Sequence, residues 1–137
     1  MIRVLVVDDH EGVRAGLASL LDAAADLVVV GTGADGRAAL VQAETLRPDV
    51  ITLDVAMPGM DGLQTAELLR RRHPHGRVIM LSASVPGRSV RRARAAGAVG
   101  YVCKGSDPEE LMSAVRVTAS GGQWWCEQAV AVLRLSS

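Results

Sequence analysis

Residues 49–62, DVITLDVAMPGMDG, show how the chain is organised. The first half is apolar and β-branched and ends in one carboxylate, Asp54, and the second half is a loop rich in glycine and methionine. A near-continuous apolar run is typical of a strand that is buried on both faces of a parallel sheet. Residues after Gly62 follow the spacing of a helix. The segment therefore predicts a strand, a loop at its carboxyl end and a helix.

The same unit of strand and helix recurs on both sides of this segment. Apolar runs predict strands at 2–7, 27–31, 49–54, 77–81 and 99–103. Helical spacing predicts helices over about 11–24 and 36–46, after Gly62, over about 88–96, and from Pro108 to Gly121. Five such units predict an α/β fold, a flavodoxin-like, doubly wound, five-stranded parallel sheet with strand order 2-1-3-4-5 and five helices.

Composition narrows the class of protein. The chain has 137 residues, 49% hydrophobic and 22% charged, which is the balance of one globular domain. Basic and acidic residues number 15 each, so no net charge attracts nucleic acid or an anionic membrane. Two cysteines are too few for a disulfide framework. No apolar run reaches the ~18 residues that span a bilayer, and the start resembles no signal peptide. We therefore expect a soluble, cytoplasmic protein that does not bind membranes.

Chemically distinctive side chains stand where the predicted strands end. The first strand ends in Asp8 and Asp9, the third in Asp54, the fourth in Ser82, and the fifth near Lys104. Lys104 is the only lysine among 15 basic residues, which suggests a position that requires an ammonium group. Ligands of doubly wound sheets bind at the carboxyl ends of the strands. We therefore expect these five side chains to gather at one edge of the sheet.

Three neighbouring carboxylates repel one another unless a cation lies among them. Mg²⁺ suits such a site because it prefers hard oxygen ligands and keeps several waters. Asp9 and Asp54 are then the expected direct ligands, and Asp8 acts mainly through water. The alternative is that each acidic residue only caps the helix that follows it.

Four blocks of this sequence together resemble the receiver domain of bacterial response regulators. They are Asp8-Asp9, residues 54–62, residues 81–83 and residues 100–104. The resemblance covers about residues 1–122, and the stretches DDH, VGTGADGRAAL and AGAVGYVCKG are most similar to NarL/FixJ-type regulators. It implies a receiver domain over 1–122, followed at 123–137 by a tail or the start of a linker to an output domain that this chain lacks.

The resemblance also implies a phosphoryl-transfer chemistry. Asp54 accepts a phosphoryl group from the phosphohistidine of a sensor histidine kinase or from a small donor such as acetyl phosphate. Mg²⁺ is held by Asp9, Asp54 and the backbone carbonyl of Ala56, with Asp8 nearby, and offsets charge on the transferring oxygens. Such a domain is no enzyme beyond Mg²⁺-dependent self-phosphorylation and slow autodephosphorylation.

Three further roles follow from the resemblance alone. Lys104 pairs with Asp54 at rest and with the phosphoryl oxygens afterwards. Ser82 donates a hydrogen bond to the phosphate, and Tyr101 rotates inward as Ser82 moves. The added negative charge then switches the partner surface.

Three functions remain open at this point. The first is the receiver half of a transcription regulator, which contacts DNA only through an output domain absent from this chain. The second is a stand-alone receiver that acts by protein contact or phosphorelay. The third is a nucleotide-binding enzyme, because Gly31, Gly33 and Gly36 form a G-x-G-x-x-G pattern between a strand and a helix. Asp35 argues against the third, since it stands where a pyrophosphate must approach.

Surface patterns suggest where partners bind. The predicted fourth helix carries four arginines, Arg88, Arg91, Arg92 and Arg94. Two such faces repel each other, so we expect a homodimer to use the first and fifth helices and an acidic partner to use the fourth. On the first helix, the apolar side expected to face the sheet comprises Val13, Leu17, Leu20 and Leu21. For Trp124 and Trp125 we expect either packing of the tail onto the domain or an interface with another domain or subunit.

Overall fold

Six parallel strands form one sheet within residues 1–135, the part of the chain that the computed structural model describes. The strands are β1 Ile2–Val7, β2 Leu27–Gly33, β3 Val50–Asp54, β4 Arg77–Ser82, β5 Gly100–Cys103 and β6 Trp124–Trp125. The helices are α1 Glu11–Asp22, α2 Gly36–Leu46, α3 Gly62–Arg72, α4 Gly87–Ala95, α5 Pro108–Ala119 and α6 Glu127–Leu135. The strand order is β2-β1-β3-β4-β5-β6.

Each face of the sheet has its own apolar core, because successive side chains of a strand point to opposite faces. Along β1, Val4 and Val6 join the core beneath α1 and α5, whereas Leu5 and Val7 join the core beneath α2, α3, α4 and α6. All four valine and leucine side chains are fully buried. Burial on both faces explains why the first strand reads as a continuous apolar run.

The fold class and the order of the first five strands confirm the prediction, but the numbers of strands and helices were wrong. In the described residues the tail adds a sixth strand and a sixth helix. A strand of two residues is too short to show a periodic pattern. The two tryptophans of β6 point to opposite faces, Trp124 to the α5 side and Trp125 to the α4 side. The tail therefore packs onto the domain, which was one of the two expectations for the tryptophans.

Helix α1 also differs from the prediction. It ends at Asp22 rather than near residue 24. Only Leu21 of its expected inward side is fully buried, and Val13 is 40% exposed. Of the helices in residues 1–135, α1 and α5 are the two that cover this face of the sheet, so within this range no third helix lies over the outer side of α1.

The helices described in residues 1–135 are all too short or too polar to cross a bilayer.

Candidate functional site

The carboxyl ends of β3, β4 and β5 are held side by side by backbone hydrogen bonds. The Val55 N–H donates to the Leu81 carbonyl at 2.9 Å, and the Lys104 N–H donates to the Ser82 carbonyl at 2.8 Å. β1 lies on the other side of β3. The residues that follow these strands therefore meet at one edge, as parallel topology requires.

Lys104 joins the two most buried carboxylates of this edge. Its Nζ lies 2.7 Å from Asp8 Oδ2 and 3.0 Å from Asp54 Oδ2. Asp8 is fully buried and Asp54 is 3% exposed. Because a buried charge is costly unless it is paired, the ammonium group is what allows these two carboxylates to lie side by side.

The electrostatics of Asp54 and Lys104 are set by opposing effects. Burial raises the pKa of Asp54 above its ordinary value, with the Lys104 ammonium opposing the rise. Burial lowers the pKa of Lys104, but the carboxylates of Asp8 and Asp54 outweigh it and the net shift is upward. Lys104 is therefore charged at neutral pH.

The loop after Asp54 is fixed by close packing and a capped helix. The Ala56 N–H donates to Asp54 Oδ1 at 3.2 Å. Asp61 begins α3 with a capping box, in which its side chain accepts from the Gln64 N–H and Gln64 reaches back to the Asp61 N–H. At Gly62 a Cβ would overlap the Asp54 carbonyl oxygen. Only glycine therefore lets α3 start this close to the Asp54 backbone.

Four residues at this edge could hold a metal ion. One potential ligand atom from each of Asp8, Asp9, His10 and Asp54 lies within 4.8 Å of the others. Asp9 Oδ1 is buried and makes no hydrogen bond within residues 1–135, and Nδ1 of His10 lies 3.1 Å from it. A buried oxygen without a donor fits a divalent cation, and the clustered carboxylates suit one that prefers oxygen.

Ser82 and Tyr101 lie beside this edge. Ser82 is 8% exposed, and its hydroxyl oxygen accepts from the Ser84 N–H at 3.3 Å. Tyr101 is fully buried, and its hydroxyl donates to the Ser84 carbonyl at 3.4 Å. Burial raises the pKa of Tyr101. The two residues thus contact the same β4–α4 segment, and the tyrosine already lies inside.

The tail is bound directly to the strand that carries Tyr101. Tyr101 pairs with Trp125 across β5 and β6, and its carbonyl accepts from the Cys126 N–H at 2.9 Å. The side chain of Tyr101 belongs to the same apolar core as Cys126 and Ala129. Residues 123–135 therefore cover the middle of β5.

Comparison with known proteins identifies the family. Residues 4–116 match the family model of the response regulator receiver domain. The chain belongs to this family. It is 38% identical to the nitrate/nitrite response regulator NarL of Escherichia coli K12 over 133 residues, which are 97% of this chain and 62% of that protein. The chain thus spans less than two thirds of that relative.

Solved structures agree with this assignment to the receiver family. The signal receiver domain of a NarL response regulator from Mycobacterium tuberculosis superposes with a TM-score of 0.84 at 39% identity, over 88% of this chain and 97% of that one. A LuxR-family two-component response regulator from Aurantimonas sp. superposes with a TM-score of 0.92 at 28% identity, over 98% and 96% of the two chains. The second match includes the tail.

The glycine motif of the receiver has a packing role. The Asp35 carboxylate accepts from the Ala38 N–H at 2.8 Å and caps α2, so a carboxylate occupies the helix end where a pyrophosphate would bind. A Cβ at Gly31 would overlap Gln42 and Leu46, and one at Gly36 would overlap Thr65. Gly31 therefore lets α2 pack closely on β2, and Gly36 lets the start of α2 pack closely on α3.

Two contacts of the acidic edge were not predicted from the sequence. The ring of His10 turns toward Asp8 and Asp9, and Arg14 Nη1 donates to the Asp8 carbonyl at 2.8 Å. The contact of His10 could have been predicted, because His10 directly follows Asp8-Asp9 in the sequence. Arg14 gave no such signal, because its contact depends on the start of α1.

Proposed function

We propose that this receiver accepts a phosphoryl group on Asp54. The observation that carries the proposal is the placement of Asp54, a buried carboxylate of raised pKa that lies 3.0 Å from the ammonium group of Lys104. In the transfer, a carboxylate oxygen of Asp54 forms a bond to phosphorus while the bond from phosphorus to the donor's imidazole nitrogen or carboxyl oxygen breaks.

Mg²⁺ is the proposed cofactor. Asp9, Asp54 and the backbone carbonyl of Ala56 hold the ion, and Asp8 supports it through water. The buried Asp9 oxygen that makes no hydrogen bond among the described residues and the four-residue cluster support this assignment. Bound there, the ion offsets negative charge on the transferring oxygens.

Lys104, Ser82 and Tyr101 convert the modification into a signal. The Lys104 ammonium exchanges part of its pairing with Asp54 for the phosphoryl oxygens. Ser82 lies at the end of the neighbouring strand and donates a hydrogen bond to the phosphate. Ser82 and Tyr101 both contact Ser84, so a shift of the β4–α4 segment reaches the switch tyrosine.

We infer that the donor is a sensor histidine kinase and that the output is control of transcription. The relatives named above are response regulators, and 38% identity to NarL supports the same role. DNA contact then requires an output domain outside this chain, with residues 123–137 as the tail that leads to it. A stand-alone receiver that acts by protein contact or phosphorelay is the alternative.

Mass spectrometry tests the phosphoacceptor. With acetyl phosphate and Mg²⁺ the protein gains one phosphoryl group, and Asp54→Asn gains none. Asp35→Asn is the matched control, because asparagine also caps α2, and it is labelled like the wild type. Excess chelator abolishes labelling. Retained labelling of Asp54→Asn would place the nucleophile elsewhere.

We propose a homodimer through α1 and α5. The exposed Val13 and the half-buried Leu17 and Leu20 leave an apolar strip on α1, and the arginines of α4 oppose self-association through that helix. Sedimentation with a phosphate mimic tests this: Val13→Asp loses the dimer, whereas Arg91→Glu/Arg92→Glu keeps it. Loss of the dimer in the charge-reversed protein would place the interface on α4.

A further inference from the structure

The ring of His10 lies against the acidic edge although the residue is largely exposed. Its side chain is 69% exposed, yet Nδ1 is 3.1 Å from Asp9 Oδ1 and 3.5 Å from Asp8 Oδ1. His10 is the N-cap residue of α1 but makes no side-chain cap. Its backbone N–H donates to Asp8 Oδ1 at 2.9 Å. This bond fixes the His10 backbone beside the carboxylates, so the ring needs only its own torsions to reach them.

The imidazole changes which ions the cluster suits. Carboxylates alone favour hard ions such as Mg²⁺, whereas an imidazole nitrogen favours Co²⁺, Ni²⁺ and Zn²⁺. The potential ligand atoms of His10, Asp8, Asp9 and Asp54 are compact enough for a single ion, since they all lie within 4.8 Å of one another.

We propose that His10 supplies a nitrogen ligand when a divalent transition ion occupies this edge, so that the site binds such ions more tightly than its carboxylates alone would. The inference rests on the proposed function in one respect, that the acidic cluster holds a divalent cation. His10 is then a determinant of metal choice rather than of phosphoryl transfer itself.

The other two histidines of the chain provide the control. The rings of His73 and His75 are 6.3 Å apart, and their segment follows α3 at the opposite ends of the strands. No acidic cluster of the metal-binding kind includes them within residues 1–135. A transition ion that binds there is recognised by its loss in His75→Ala.

Calorimetric titration of the untagged protein with Co²⁺, Ni²⁺ and Mg²⁺ tests the proposal. Loss of a metal-bound or metal-orienting group costs at least about tenfold in affinity. We therefore expect His10→Ala to weaken Co²⁺ and Ni²⁺ binding by about tenfold or more and to leave Mg²⁺ binding unchanged. His75→Ala leaves the tight Co²⁺ site intact. In long-range ¹H–¹⁵N spectra, the Nδ1 signal of His10 moves with Zn²⁺ and not with Mg²⁺.

The outcomes separate this proposal from the proposed function. If Mg²⁺ binds and His10→Ala alters the affinity for neither ion class, or for both equally, the imidazole is only an ionic neighbour of Asp9 and the proposal is wrong. If Co²⁺ binding depends on His75 instead, it is also wrong. If the wild type binds Co²⁺ through His10 but no Mg²⁺, the proposal stands and the Mg²⁺-dependent function fails.

Discussion

The carboxyl edge and the tail edge of the sheet are stabilised in opposite ways, and both border β5. At the carboxyl edge, the buried carboxylates of Asp8 and Asp54 share the ammonium group of Lys104. At the tail edge, β6 and α6 add apolar side chains, among them the fully buried Ala129. Lys104 follows the end of β5, whereas Tyr101 in its middle is bound to the tail. The first edge provides chemistry and the second provides apolar packing.

This difference between the two edges predicts which substitutions affect phosphorylation and which affect stability. Changing one member of the charged cluster alters the pairing of the other two. Removing an apolar side chain instead lowers the free energy of unfolding in proportion to the surface that it buries. Substitutions at the tail should therefore alter stability more than phosphorylation, and substitutions at the cluster should do the reverse.

The largest effect on stability is expected from Ala129→Asp. An unpaired charge at this fully buried position of α6 costs about 3 kcal/mol. Urea denaturation monitored by circular dichroism measures the loss. Ala131→Asp, on the exposed side of the same helix, is the matched control and should change stability by less than about 0.5 kcal/mol.

Tryptophan fluorescence shows whether Ala129→Asp unfolds only the tail or the whole domain. Both tryptophans lie in β6, so their fluorescence reports on the tail, whereas circular dichroism reports on the whole domain. We expect labelling of Asp54 by acetyl phosphate to continue at the wild-type rate in buffer. A large fall in that rate with an intact tail signal would mean that the two edges are not separable.

The sequence predicted the structure best where an apolar pattern was long or where parallel topology determined which residues meet. Strands β1 to β5 read as apolar runs because they are buried on both faces, and the meeting of Asp8, Asp54 and Lys104 follows from parallel strands that end at one edge. The sixth strand was missed because Trp124–Trp125 is too short for a period.

Side-chain orientation and helix exposure were beyond sequence patterns. The apolar spacing of α1 placed Val13 inward, but spacing does not reveal that, among the described helices, α5 is the one other helix on that face. Likewise, no pattern fixes the torsions that turn His10 to the carboxylates or bury Tyr101. These depend on contacts among residues that are distant in sequence or on backbone geometry.

A smaller stability loss is expected from Gly62→Ala, which probes the backbone of the carboxyl edge. The new Cβ would overlap the Asp54 carbonyl, and relief of such overpacking costs about 1–3 kcal/mol. Gly16→Ala in α1 is the matched control, because no atom lies within 4 Å of its Cβ position. Alanine there should stabilise the helix by about 0.5–1 kcal/mol. Equal effects of the two substitutions in urea denaturation would contradict the close approach.

Lys104→Arg should lower the rate of Asp54 labelling about tenfold, which corresponds to about 1.4 kcal/mol. The larger, planar guanidinium does not fit as a compact ammonium does between two carboxylates. Arg94→Lys, an exposed exchange of the same two residue types on α4, is the control and should label normally. Mass spectrometry over time gives both rates. Wild-type labelling of Lys104→Arg would show that any cation suffices at this position.

The smallest effect is a gain in stability from Asp54→Asn, which is expected to depend on pH. Burial raises the folded-state pKa of Asp54 above the ordinary 3.8, so ionising this carboxyl group costs the folded state free energy as the pH rises above that value. In chelator, the asparagine variant should therefore unfold at higher urea than the wild type at pH 7, and the gain should shrink toward pH 4. Asp26→Asn is a control of opposite sign: Arg116 lowers the pKa of Asp26, so this substitution should destabilise the protein at pH 7 and less so in acid. A gain for Asp54→Asn that is the same at both pH values would show that relief of the buried charge is not its cause.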